Sequence, residues 1–249
     1  MSSHSIALAA ALCLSAASMA EAGVYSLGHG DLRIRFQGGQ LLQSIHLDAE
    51  SIMDDQEAGN APHGVDYVPE DTTIIVPEPT LPRPVGAEWD FIATAAGNPV
   101  WFIPEVQEFD RPWLGISTET LDRDDWTDFR IGLLGVSAPV GGHFSLTDSS
   151  GAFFAQVYFA TADGINAADA YYPILQSHAH FSWLFTQPGI YEITLQVTGN
   201  HVAAGAVSST GTYQFNVIPE PGSLVSLLAL LIGVYLQRKR AVEVTRCVQ

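Results

Sequence analysis

The sequence predicts an all-β fold: one β-sandwich or jelly-roll-like domain over residues 23–217, flanked by an N-terminal signal peptide and a C-terminal transmembrane sorting helix. Three observations predict it. Short segments alternate apolar and polar residues at period two, the mark of half-buried strands. Glycine and proline, 22 and 14 in all, punctuate the chain as turn residues do. Nowhere between residues 23 and 217 does an apolar face repeat at helical period over a long stretch.

The leader comes first. Ile6 to Ala17 is an apolar run of about a dozen residues, short of the roughly 20 that a spanning helix needs. It leads to Ala20-Glu21-Ala22, a small-x-small pattern, so residues 1–22 read as a signal peptide cut after Ala22.

Strands follow. Asp31 to Phe36 alternates, Gly38-Gly39 makes a turn, and Leu41 to Leu47 reads as the returning strand of a hairpin. Asp48 to Gly97 is acidic and proline-bearing, with Pro77, Pro79, Pro82 and Pro84 unfit for central strands, and reads as a surface excursion. Thr72 to Val76, Val100 to Ile103, Trp113 to Ser117, Phe129 to Val136 and His143 to Thr147 are shorter strand candidates. Ala152 to Ala160 carries Phe and Val on both faces, as a buried strand would. Tyr191 to Val197 and Thr212 to Val217 alternate cleanly.

Composition excludes several chemistries. The net charge is −17, and such a surface repels phosphate backbones, so nucleic acid is not an expected partner. Residues 23–217 hold six arginines and neither lysine nor cysteine, because Cys13 and Cys247 fall outside them. Schiff-base and thiol chemistry and disulfide bonds are therefore absent from the domain. No nucleophile elbow, zincin helix or phosphate loop occurs. The expectation is a non-catalytic protein. The alternative is a secreted, matrix-acting hydrolase on a glycan, because a pair of carboxylates can be set at working distance by the fold alone.

The C-terminus carries a specific pattern. Pro219-Glu220-Pro221 precedes the apolar segment 223–236, and Arg238-Lys239-Arg240 follows it. The basic triplet predicts a cytoplasmic end, with residues 241–249 as a short tail. In this order the elements of 218–240 resemble the PEP-CTERM sorting signal. The resemblance implies an exosortase as processing partner and transient membrane insertion through the helix. It also implies delivery to the cell surface or extracellular matrix, with exopolysaccharide as a further partner.

Candidate ligand residues centre on Ser177-His178-Ala179-His180-Phe181-Ser182-Trp183-Leu184-Phe185. Read as one strand, it puts Ala179, Phe181, Trp183 and Phe185 on the core side and His178, His180 and Ser182 on the other. Two imidazoles at i and i+2 on one face can grip one divalent ion, zinc or similar. Further ligands would come from His29 and Asp31 in Gly28-His29-Gly30-Asp31, or from His63. The competing expectation is that these histidines only donate hydrogen bonds to the many carboxylates. Asp122 to Asp128 could chelate calcium, but it lacks the glycine and terminal glutamate of a calcium loop and reads as a solvated turn. Trp89, Trp101 and Trp126 are expected in the core rather than on a sugar.

The early Gly-His-x-Asp, Trp113 to Ser117, and the His-x-His-x-x-Trp-x-Phe-x-x-Pro-Gly-x-Tyr run ending at Tyr191 together resemble the choice-of-anchor M domain of bacterial surface proteins. That resemblance implies an exported β-domain, and it lends weight to a metal.

Overall fold

The computed structural model describes residues 22–78, 80–149 and 156–219. Seventeen strands form two packed sheets. In chain order they are β1 (Gly23–Gln37), β2 (Gln40–Leu47), β3 (Ile52–Met53), β4 (Gln56–Glu57), β5 (Val65–Tyr67), β6 (Thr72–Val76), β7 (Leu81–Pro82), β8 (Pro99–Ile103) and β9 (Pro112–Ser117). There follow β10 (Trp126–Ser137), β11 (Phe144–Asp148), β12 (Gln156–Ala160), β13 (Ala170–Tyr171), β14 (His178–His180), β15 (Ser182–Phe185), β16 (Gly189–His201) and β17 (Gly205–Val217). The architecture is all-β and sandwich-like, with three short 3-10 turns as the only helical elements among the described residues.

The larger sheet runs β13-β10-β16-β17-β6-β1-β2-β5, with β9 on the side of β1 and β14 beyond β9. The smaller runs β12-β11-β15-β8-β7. Most pairs are antiparallel, but β1 lies parallel to both β6 and β9, and β6 lies parallel to β17. The hairpin at Gly38-Gly39 forms as expected, because both glycines have positive φ, 59° and 82°, which a two-residue turn of this hand requires.

The core lies between the sheets. Phe144, Leu146, Phe159, Trp183 and Phe185 of the smaller sheet are fully buried, as are Tyr191, Ile193, Phe215 and Ile74 of the larger one. Trp183 and Phe185 both lie against Phe215, with ring centroids 5.4 and 5.3 Å apart. Each such aromatic contributes about 2–3 kcal/mol through the apolar surface it removes from water. Trp101 and Trp126 are core residues too, at 4% and 7% exposure.

Two expectations are corrected here. The histidine segment is not one strand. It breaks at Phe181: β14 pairs with β9 in the larger sheet, and β15 pairs with β11 and β8 in the smaller. The chain crosses between sheets there because Phe181, Trp183 and Phe185 are drawn into the core while the histidines stay outside. Nor is 48–97 wholly a surface excursion, since β6 sits between β17 and β1 inside the larger sheet. Pro77 and Pro84 lie outside the strands and Pro82 lies in the edge strand β7, in keeping with the rule against central strands, while Pro79 lies outside the described residues.

Of the targeting residues, Ala22 directly precedes β1 and Pro219 closely follows β17. Ala20, Glu220, Pro221, Arg238, Lys239 and Arg240 lie outside the described residues, as does the segment 223–236. Among the described residues no helix is long and apolar enough to cross a membrane.

Candidate metal centre

The site is assembled by register. Parallel pairing sets His29 beside Trp113, Asp31 beside Gly115 and Arg33 beside Ser117. Antiparallel pairing then sets His180 beside Gly115 and His178 beside Ser117. Strand residues at i and i+2 share a face, so His29, Asp31, Trp113, Gly115, His178 and His180 lie together on the outer face of β1, β9 and β14. On the inner face, Leu32, Leu114 and Ile116 are buried in the core. Trp183 fastens the arrangement from beneath, its indole N–H donating to the Leu114 carbonyl at 3.1 Å across the two sheets.

Three imidazoles converge. His29, His178 and His180 each offer a nitrogen, and the three nitrogens lie within 4.8 Å of one another. Nε2 of His29 is 3.2 Å from Nε2 of His180. Two of the rings are braced from behind by carboxylates on Nδ1. Asp48 holds His29 at 2.9 Å, and Glu119 holds His178 at 2.9 Å. The third ring, His180, is held by stacking on Trp113, with centroids 3.7 Å apart and planes 10° from parallel.

Glycines shape the cradle. Gly28 has φ of +93°, and a Cβ there would run into Ser51, whose hydroxyl donates to the His29 carbonyl at 2.6 Å. That contact and the bond from the Asp48 amide to the same carbonyl, at 3.2 Å, fix the His29 backbone. Gly115 leaves a notch between Asp31 and His180. A Cβ there would collide with Asp31 Oδ1 and come within 3.1 Å of His180 Cε1.

Electrostatics follow from burial. Burial, reinforced by the neighbouring His29 and His178 charges, pushes the His180 pKa down to about 3, so this ring is a neutral lone-pair donor at ordinary pH. Burial also disfavours protonation of His178, but the hydrogen bond to Glu119 and the charges of Asp31 and Glu119 outweigh it and raise its pKa. Glu119 is correspondingly held below the usual carboxylate range by its bond to His178. Asp31 is 3% exposed, and burial raises its pKa against the pull of His29 and His178. Its Oδ1 is buried without a hydrogen-bond partner, and its Oδ2 stands 3.8 Å from His29 Nε2.

Of the five residues expected to bind metal, the fold brings His29, His178 and His180 together and sets Asp31 beside them. His63 does not join. It is exposed in the turn before β5, its amide bonded to the Asn60 carbonyl, because that turn lies past the far edge of β2. Sequence reasoning missed Asp48, Glu119 and Trp113. Asp48 opens the segment expected as a surface excursion, and Trp113 opens an expected strand, but neither position names its partner. It also missed His46, which is buried and bonded to Asp66 at 3.1 Å, and Asp66 in turn pairs with Arg33 and Arg35. Within Asp122 to Asp128, residues Arg123–Asp125 form a 3-10 turn capped by Asp122 and Trp126 to Asp128 begin β10; the segment joins no metal-ligating group among the described residues.

No family model, curated protein or solved structure matches this chain.

Proposed function

We propose that this is an exported, surface-anchored β-domain that binds one divalent metal of the zinc type through His29, His178 and His180. The observation that carries the reading is the convergence of three imidazole nitrogens within 4.8 Å, two of them on rings braced by carboxylates. Zinc at about 2.0–2.1 Å from two nitrogens in tetrahedral geometry sets them about 3.3 Å apart, and the 3.2 Å between His29 and His180 meets this nearly unchanged. A carboxylate on Nδ1 fixes the tautomer that presents Nε2 to the ion and raises its basicity. Without metal, the same 3.2 Å serves as an N–H···N hydrogen bond. The role is binding rather than turnover.

The test is metal analysis of the purified protein after stripping and reloading. One equivalent of zinc, lost in the His178→Ala/His180→Ala variant, supports the reading. No stoichiometric metal in the wild type, with unchanged thermal stability on adding zinc, sinks it.

The setting of the domain rests on the termini. The leader pattern of residues 1–22, the Pro219-Glu220-Pro221 motif, the apolar segment 223–236 and the basic Arg238-Lys239-Arg240 support export, membrane insertion and exosortase processing at the envelope or exopolysaccharide matrix. Replacing Pro219-Glu220-Pro221 by alanines is expected to retain the full-length chain in the membrane. Unaltered processing of that variant would remove the sorting claim.

A further inference from the structure

We infer that the bound metal keeps one coordination position open. It holds a water molecule hydrogen-bonded to Asp31, and small monodentate nitrogen or oxygen donors from solution can replace that water. The inference rests on the metal reading and goes beyond it, because it separates an exchangeable centre from a closed structural one. Closed zinc sites have four protein ligands, and open ones have three plus a water.

The placement of Asp31 is the first argument. The group whose ligand atoms all lie within 4.8 Å of one another is His29, His178 and His180; Asp31 is not part of it, although its Oδ2 comes within 3.8 Å of His29 Nε2. The second argument is an unmet need. Asp31 is 3% exposed, and its Oδ1 has no hydrogen-bond partner, which is costly for a buried carboxylate oxygen. That oxygen occupies the notch over Gly115, on the side of the His180 ring, where any larger residue in place of the glycine would collide with it. A water on the metal supplies the donor this oxygen lacks once the side chains around the ion shift to admit it, since Oδ1 is closed to solvent in the metal-free arrangement. The third argument is access. The Trp113 indole closes one side of His180, but the His178 side chain is 38% exposed and Glu119 is 47% exposed, so the centre is reached from that flank.

In this arrangement Asp31 is a positioning residue, acting on the metal through the water. The exogenous ligand class is small monodentate donors: azide among anions, imidazole among neutral bases.

The experiment loads full-length protein with cobalt(II) in place of zinc and follows the visible absorption. Wild type is expected to take up one cobalt, and its bands are expected to shift saturably on titration with azide and with imidazole. Asp31→Asn is expected to retain cobalt within about tenfold of wild type, the lighter end of what outer-shell changes cost, while His29→Ala loses about 100-fold or more. Bands indifferent to both titrants, or an Asp31→Asn loss as large as that of His29→Ala, would overturn the inference and make Asp31 the fourth ligand. The titration of wild type stands without the variant. Absence of any cobalt uptake overturns the metal reading itself, and this inference with it.

Discussion

The indole of Trp113 lies flat against the imidazole of His180, with centroids 3.7 Å apart. The two residues sit on neighbouring strands, β9 and β14, His180 pairing with Gly115, two residues along from Trp113 on the same face. The stack holds a ring that has no carboxylate behind it, and it walls the ring from water. Trp113→Ala is therefore expected to weaken zinc binding by about tenfold and to cost about 2 kcal/mol of stability, since the indole is only partly buried. Chelator competition and urea unfolding measure the two. Unchanged affinity would show that the stack does nothing for the ring.

Asp48 and Glu119 brace His29 and His178 through Nδ1, each at 2.9 Å. Asp48→Asn and Glu119→Gln should each lower zinc affinity about 10- to 100-fold with little change in fold, because both carboxylates are substantially exposed, at 42% and 47%. Competition against a chromophoric chelator reads the change. Equal affinity in both variants would show that the carboxylates do not orient the ligands.

Gly115 is a packing requirement of the site. A methyl group there meets Asp31 Oδ1 and crowds both His180 and the Ala179 carbonyl. Gly115→Ala is expected to destabilise the apo-protein by about 1–3 kcal/mol, the usual cost of overpacking, and to weaken zinc binding as Asp31 and His180 are pushed apart. Thermal unfolding of apo and zinc-loaded protein separates the two effects.

The histidines give opposite pH signatures in the apo-protein. The folded pKa of His180, about 3, lies below the unfolded value near 6.5. Its contribution to stability is therefore present above about pH 6.5 and is lost as pH falls toward 3, at up to about 1.4 kcal/mol per pH unit. His178 is raised, so its contribution is present at low pH and is lost as pH rises through its folded pKa. Relative to wild type, His180→Phe should flatten the acid side of the stability curve between pH 6.5 and 4, and His178→Phe should not. Zinc competes with the same protons, so its affinity should fall on acidification, with protonation of His178 leading. Parallel acid limbs in wild type and His180→Phe would remove the assignment.

Much of the fold was legible because strand alternation is local. Asp31 to Phe36, Leu41 to Leu47, Trp113 to Ser117 and Tyr191 to Val197 all fall within strands. The break at Phe181 was not legible, because a strand that leaves one sheet for another keeps its period-two pattern across the join. The inclusion of His63 among the candidates had the same origin: a glycine beside a histidine describes a turn, not where the turn points.

The sequence by itself determined that His178 and His180 share one face of a strand, since side-chain direction along an extended chain is a property of the backbone. Only the tertiary structure decided that His29, 151 residues away from His180, completes the group. It also decided that Asp48 and Glu119 stand behind the rings and that Asp31 faces them over Gly115. Those neighbours follow from β1 lying parallel against β9, an adjacency chosen by which distant apolar faces bury one another, and no local pattern carries that choice.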